Sequence, residues 1–426
     1  MRSTLRCLPV ATLLLSLLAS QGAVAQSERV QDGIEVAKGD WPWWRGPARD
    51  GSSDPSQSSP REWDETKNIA WKSPISGRGY GSVCLSGPKL FYVTSEEDSG
   101  AQTLVCLDRQ TGQRQHETVV HASGGMRKNA RSTSASTTPA TDGKLVFVAL
   151  PNSDAIWLTA VQQEGGIAWQ VRVSDYVEHQ GYGASPALYQ NLVIVSSDNK
   201  AGGVIAAYQR ASGELVWKRD RPKLPNYPSP ILLRAAGRDQ VVVTGCDRIT
   251  SLDPRTGDTL WETEGATTEC VTSTVTDGKR VFTSGGYPRN HMSAVLADGS
   301  KTKVWENDNR LYVPSPLHRD GILYGVLDAG IAMAWDSETG KELWKQRLGG
   351  TFSASPVLVG DLVYATNEAG ETFLFRANPK RFESLGKMQL GREVFATPVF
   401  SGGAIYYRCT EAGDGERREM LYCIRP

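Results

Sequence analysis

Few residues in this chain have the type and spacing to do chemistry. The five histidines, His116, His121, His179, His291 and His318, stand apart from one another, with no H-E-x-x-H pair and no other metal-ligand spacing. No G-x-S-x-G elbow or Walker loop occurs. Gly77-Arg-Gly-Tyr-Gly81 has the glycines of a phosphate loop, but no helical pattern follows it, so it reads as a turn. Glu96-Glu-Asp98 reads as a solvated loop tip, with calcium binding as the alternative. The sequence therefore nominates no catalytic residue, no metal ligand and no cofactor-binding residue. A binding or interaction protein is the expectation.

The elements that would position a site come from a chain of 426 residues with 47 basic and 47 acidic side chains. Zero net charge gives no electrostatic basis for nucleic acid or an anionic membrane. With 43 glycines, 12 tryptophans and 39% apolar residues, the composition suits an all-β protein rich in tight turns. Residues 1–25 have a basic start (Arg2, Arg6), an apolar run from Leu8 to Leu18 and an Ala23-Val-Ala25 end, the layout of a secretory signal. Export to the periplasm or beyond is expected, with a mature chain starting at Gln26. No other run approaches spanning length, so no membrane span is expected in the mature protein, which reads as a monomer.

Internal repetition dominates the rest. One slot is filled in turn by Cys84, Pro139, Pro186, Pro230, Thr274, Pro316, Pro356 and Pro398, at spacings of 55, 47, 44, 44, 42, 40 and 42. Each unit holds four short apolar or alternating runs. Asp142-Gly143, Asp277-Gly278 and Asp320-Gly321 mark the first turn; Thr111-Gly112, Ser212-Gly213, Thr256-Gly257 and Thr339-Gly340 mark the third. Four strands and their turns come to about 40 residues, one propeller blade. Four residues after the third-turn position come His116, Trp169, Trp217, Trp261 and Trp344; Trp305 fills the place in unit five, and unit seven has no aromatic there. These rings are expected to wedge blade against blade. The last unit stops after its third strand, and Asn68-Ile-Ala-Trp71-Lys72 can supply the fourth. The predicted fold is an eight-bladed β-propeller of four-stranded antiparallel blades, ring closed by an N-terminal strand over 68–72. The domains are a signal peptide (1–25), a Trp-rich arm (26–67) and the propeller (68–426). Residues 26–40 carry no repeat element, so their removal is expected to be nearly silent.

Six cysteines lie beyond the leader. Cys106 and Cys423 share a slot with Ala207, Ser251 and Ala334 and read as small core residues. Cys84 lies about 9.6 Å from Cys106 on the strand geometry, too far to bridge. Cys246 and Cys270 map to one rim and are the candidate disulfide.

The pattern from Ala334 to Trp344 and from Ser251 to Trp261, Ala/Ser-x-Asp-x-x-Thr-Gly-x-x-x-Trp, resembles the repeat of pyrroloquinoline-quinone (PQQ)-like β-propellers over roughly residues 68–426. Trp41-Pro-Trp-Trp-Arg-Gly-Pro-Ala-Arg-Asp-Gly51 is similar to the opening of exported PQQ-like proteins common in planctomycetes. The family holds quinoprotein dehydrogenases and BamB-like scaffolds of outer-membrane assembly. Resemblance to the first implies PQQ with calcium as cofactors; but the vicinal cysteine pair of those enzymes and a C-x-x-C-H haem motif are both missing here. Resemblance to the second implies a non-enzymatic scaffold with protein partners in the cell envelope. A sugar- or polymer-binding propeller is the third reading. In such a ring the residues just before the slot line the channel mouth: Tyr80, Arg131, His179, Tyr182, Tyr227, Glu269, Arg310, Tyr312, Phe352, Glu393 and Phe395. Two readings stand for them, a recognition surface and a structural plug. Under the first, Arg310→Ala and Glu269→Ala should each leave stability nearly unchanged. The run Arg127, Lys128, Arg131 reads either as a solvated loop or as a docking surface for an acidic partner.

Overall fold

A computed structural model describes residues 29–127, 131–411 and 417–426, so the expected leader and Lys128 lie outside the described residues. Among the described residues all regular structure is β, in eight four-stranded antiparallel sheets. Seven sheets are consecutive meanders: blades 1 to 7 span 84–121, 140–175, 187–220, 231–264, 275–307, 317–347 and 357–389. Blade 8 joins the last three strands, 399–424, to the first strand of the chain, Ile69–Ile75. Trp71 stands opposite Cys423, and Ile69 opposite Ile424. The ring closes as the sequence predicts, with a strand three residues longer at its C-terminal end.

Burial explains the composition. The second and third strands of a blade are covered on both faces by neighbouring blades, so Leu192–Ser196 and Val204–Gln209 are almost wholly buried. The outer strands face solvent: in Leu215–Asp220 and Glu342–Arg347 the Trp is the one buried side chain. The third turns are shaped by their Asp. Asp336 Oδ1 accepts the Thr339 amide and hydroxyl, both at 2.8 Å, and Gly340 completes the turn at φ +70°.

That glycine has a second reason. A Cβ on Gly340 would lie 2.5 Å from the ring of Trp305 in the preceding blade, and one on Gly257 2.6 Å from Trp217. Five outer rings donate their N–H to a carbonyl in the next blade's third turn, at the homologous position in four of them and one residue further on for Trp344. The bonds are Trp71 to Arg109 (3.2 Å), Trp169 to Arg210 (2.9 Å), Trp217 to Pro254 (3.1 Å), Trp305 to Ser337 (3.0 Å) and Trp344 to Asn378 (2.7 Å). His116 takes the same place, with Nε2 2.8 Å from the Gln163 carbonyl. Trp261 instead donates to Gln240 of its own blade, and Gln240 passes the bond on to the homologous Ala297 carbonyl at 3.0 Å.

The seam from blade 7 to blade 8 has no such arrangement, because blade 8 has a chain break where its third turn would be. Gly386 occupies the ring position, opposite Leu374. Trp63 of the arm fills the gap. It is buried, and it stacks on Tyr364 at 6.3 Å, the separation at which Trp344 meets Tyr324 in blade 6. Among the described residues its indole N–H finds no acceptor.

The arm then crosses the axis at the end of the ring where the first hairpins lie. Trp41 pairs with Leu85 of blade 1, the Pro42 carbonyl accepts from Thr141 of blade 2, and Trp44 donates to Ser273 at the entry to blade 5 (2.8 Å). Arg45 sends Nη2 to the Pro316 carbonyl at 2.6 Å and Nη1 to that of Pro356 at 3.4 Å. Burial holds its guanidinium down to about 10. Arg49 lies over the Trp43 ring at 3.9 Å and pairs with Asp32 at 2.7 Å, and the Asp32 carbonyl accepts from Gln190 of blade 3. Residues 29–40 are therefore bound to the ring, which corrects the expectation that 26–40 can be lost silently: repeat structure and attachment are separate properties.

A belt of hydroxyls lines the axis. Each donor is a backbone N–H just ahead of the slot (one residue before it, or two for Ser82), and each acceptor is the hydroxyl before the slot one blade on: Ser82 to Thr138, Thr138 to Ser185, Ser185 to Ser229, Ser273 to Ser315, Ser315 to Ser355 and Ser355 to Thr397, at 2.9–3.1 Å. The Ser82 hydroxyl returns to the Thr397 carbonyl at 2.8 Å. The six cysteines are all buried and unbridged. The candidate pair Cys246–Cys270 is corrected: the Cys246 sulfur lies 3.7 Å from Asp198 Oδ2, whereas that of Cys270 lies 3.4 Å from the Thr267 hydroxyl. Each sulfur has its own polar neighbours, and burial pushes both thiols up.

Trp63→Ala and Trp71→Ala should each lower unfolding stability by about 3–5 kcal/mol, as buried Trp truncations do. Denaturant titration measures this; a Trp63→Ala loss below that of an exposed-site control would remove its wedge role. Asp32→Ala leaves Arg49 buried without its partner and should cost about 3–5 kcal/mol, read as a lowered melting temperature.

Candidate functional site

One end of the channel is filled by the arm, and the residues ahead of each slot collect at the opposite end. On one side, four successive interblade connections meet. His179 Nδ1 lies 3.0 Å from the Tyr227 hydroxyl, which donates to Glu269 Oε2 at 3.3 Å; His179 Nδ1 is 3.6 Å from Glu269 Oε1. Glu269 is only 6% exposed. Burial, and then the Glu269 charge, push the phenols of Tyr227 and Tyr312 up. Arg310 is exposed and lies over the Tyr312 ring, 5.2 Å from its centroid. Asp328 accepts the amides of Tyr312 (2.8 Å) and Val313 (3.2 Å), and burial raises its carboxyl.

On the other side Tyr80 and Phe395 stack with centroids 4.2 Å apart and planes 29° apart. Arg78 lies over Tyr80 and bonds both its hydroxyl and Glu97. Arg131 reaches Glu368 at 3.3 Å, and Glu393 is bound by Arg417.

Two of the eleven nominated residues do not reach this surface. Tyr182 is buried against Tyr176 with its hydroxyl on the Ser196 carbonyl at 2.8 Å, and Phe352 is 1% exposed against Phe373. Both turn inward because an apolar gap between strands offers their rings more buried area than the rim does. The arrangement can orient a ligand through hydrogen bonds and charge. Thiolate chemistry is disfavoured, since the described cysteines are buried and burial raises their thiols.

Several mouth residues escape sequence reasoning: Arg78, Glu97, Asp328, Glu368 and Arg417 sit in turns that only the closed ring brings together. The hydroxyl belt had a legible signal that the repeat reading passed over: Ser or Thr directly precedes the slot in seven units.

The ring of repeats with docked tryptophans, stoppered at one end by its own arm, defines the class: an eight-bladed β-propeller of the PQQ-like kind. The family model described as outer membrane protein assembly factor BamB matches residues 118–346 and again 328–380, more than half the chain, and the protein belongs to that family. No curated sequence matches it. Among solved structures it is similar to BamB from Moraxella catarrhalis (13% identity, TM-score 0.59, covering 84% of this chain and 97% of that one). It is similar also to a europium-containing methanol dehydrogenase (10% identity, TM-score 0.67, 92% and 99% covered). A third is the quinohemoprotein alcohol dehydrogenase from Comamonas testosteroni (14% identity, TM-score 0.62, 90% and 80% covered). At these identities the likeness is one of fold.

Burial of Glu269 favours, for this residue, the plug reading over the recognition-surface reading. Glu269→Ala removes a buried acceptor of the Tyr227 hydroxyl, leaving it His179 Nδ1, and should cost about 1–3 kcal/mol, whereas Arg310→Ala at the exposed rim should stay within about 0.5 kcal/mol. Paired thermal melts check the difference.

Proposed function

We propose that this protein is an exported, non-catalytic binding scaffold of the cell envelope and that the open mouth is its protein-binding face. The observation that carries the reading is the asymmetry of the channel. The arm end is packed to a residual void of about 10 Å³ between Trp41, Trp44, Arg45 and Val399, room for a water at most. The mouth presents half-buried aromatic rings beside charges of both signs, the composition of a protein recognition surface. Membership of a family described by an outer-membrane assembly factor supports a partner that is itself a protein of the envelope. Among the described residues no helix is long and apolar enough to cross a membrane.

The fold is shared with quinoprotein dehydrogenases, so the fit of a calcium-bound quinone has to be judged on these residues. Among the described residues no three His, Cys, Asp or Glu side chains come together as a metal-binding group. At the mouth Tyr80 and Phe395 close on each other at 4.2 Å, leaving no gap for a planar ring between them. The residues present do not fit that cofactor, and no catalytic step is assigned through it.

Pull-down from native envelope extract with the mature protein tests the reading. Capture of specific envelope proteins, reduced by Arg310→Ala at unchanged melting temperature, is expected. Dye-linked alcohol or sugar oxidation after incubation with PQQ and Ca²⁺ should stay at background; substantial turnover would overturn the scaffold reading.

A further inference from the structure

In blades 2, 3, 6 and 7 the residue after the outer strand donates its N–H to the carbonyl just ahead of the third strand. The bonds are Tyr176 to Asp154 (2.7 Å), Arg221 to Gly203 (2.9 Å), Leu348 to Gly330 (2.8 Å) and Leu390 to Gly370 (3.1 Å). They tie the two strand ends together. In blade 4 Gly265 stands in the donor's place and Asp247 in the acceptor's, but no bond joins them. The backbone turns away on both sides: Cys246 and Asp247 lie at φ +55° and +61°, and Gly265 at +137°, where a side chain would be strained. Cys246 and Asp247 send their amides further along the connection, to the carbonyls of Thr268 (2.8 Å) and Thr267 (3.2 Å), and leave Gly265 and Ala266 between the two pairings.

The gap opens into a cavity of about 400 Å³ at the seam of blades 4 and 5, a size typical of small-molecule sites. Gly265 and Ala266 line it and are themselves buried, yet their amides have no hydrogen-bond partner among the described residues. Buried amides left without a partner are rare, so the cavity has to supply one. Arg289 reaches it from the second turn of blade 5, residues 286–290.

Most of the charges around the cavity are already engaged. Arg248 holds Glu262 at 2.9 Å, the Thr250 hydroxyl donates to the other Glu262 oxygen at 2.8 Å, and the Thr268 hydroxyl donates to Asp247 at 2.8 Å. Glu264 and Arg289 remain, both exposed and neither with an ion pair or side-chain hydrogen bond among the described residues. One free carboxylate and one free guanidinium oppose each other, so an ion of either sign meets an attraction and a repulsion. What the cavity offers evenly is donors and acceptors. Arg289 and the two amides donate; Glu264 and the Asp247 carbonyl accept. Hydroxyl groups, each both donor and acceptor, match such a mixture. The turn that brings Arg289 also carries Tyr287, 55% exposed, an aromatic surface of the kind on which the C–H face of a sugar can lie.

We propose that this cavity binds a neutral saccharide of one or two pyranose units. Its hydroxyls bridge Glu264 and Arg289, and one of its oxygens takes the amides that blade 4 leaves unpaired. The site lies outside the channel, and the inference goes beyond the protein-binding reading and stands without it.

Isothermal titration of the mature full chain with maltose, cellobiose and N,N′-diacetylchitobiose tests this, with glutamate and lysine as charged comparisons. At least one disaccharide should bind, and Arg289→Ala and Glu264→Gln should each weaken it by at least ~10-fold, as loss of a hydrogen bond to a charged group does. Because both side chains are exposed, the melting temperature without sugar should stay unchanged. Where Arg289→Ala does lower it, Glu264→Gln decides alone. Arg310→Ala should leave sugar binding as it is. Binding of none of the three sugars, binding untouched by both cavity variants, or tighter binding of glutamate or lysine would each overturn the proposal. Sugar binding with no envelope protein captured would fail the scaffold reading alone, and capture without sugar binding would fail this proposal alone.

Discussion

Each blade is held to the next by one recurring contact, a ring from an outer strand lying on the following blade's third turn and bonded to its carbonyl. The rest of the fold depends on it. An outer strand has a solvent-facing edge and little buried surface of its own, so the ring is its chief attachment to the neighbouring blade. The turn must present bare backbone to receive the ring. This is why Gly257 and Gly340 serve two purposes, one for the left-handed φ and one for the approach of Trp217 and Trp305. Where a blade lacks a Trp in that geometry the contact is rebuilt by other means, through His116, through the Gln240 relay, or through Trp63.

A closed ring has one seam at which the chain begins and ends, and that seam cannot carry the repeat's own device. Blade 8 is stitched from both termini, with the Arg425 amide on the Asn68 carbonyl at 2.8 Å. The arm's Trp63 completes the adjoining seam, and the arm goes on to fill one end of the channel. One segment thus performs two tasks that follow from the same topology. The consequence for function is that the two ends of the ring are chemically different, one dry and packed, the other lined with rings and charge.

Polar groups inside the ring are paired with care. Arg221 and Asp198 are joined by two bonds at 2.9 and 3.1 Å, and Asn226 adds a third bond to Asp198 at 2.9 Å. Arg408 meets Glu419 at 2.7 Å while donating to the Val93 carbonyl of blade 1 at 2.9 Å. Such pairs contribute less to stability than apolar packing of equal size, but they penalise any register that separates them. They and the hydroxyl belt set blade against blade near the axis, as the tryptophans do at the rim.

The repeat, the blade count, the third-turn geometry and the closing strand were all legible in sequence, because each is a local pattern recurring at a period of 40 to 55 residues. The gathering of residues ahead of the slot was legible in outline for the same reason. What needed the tertiary structure was every relation between units. Trp63 reads as an unremarkable residue of the arm until the chain break in blade 8 leaves a gap for it. Tyr182 and Phe352 share the spacing of Tyr312, four residues before the slot, yet lie in the core, since spacing does not say which ring finds an apolar gap. Arg78, Arg127 and Arg417 are separated by long stretches of sequence and meet only because closing the ring brings the first and last blades together. Periodicity determines the parts and the strand that closes the ring; which side chains touch between blades is decided by packing across the closed ring, a long-range constraint that local pattern does not encode.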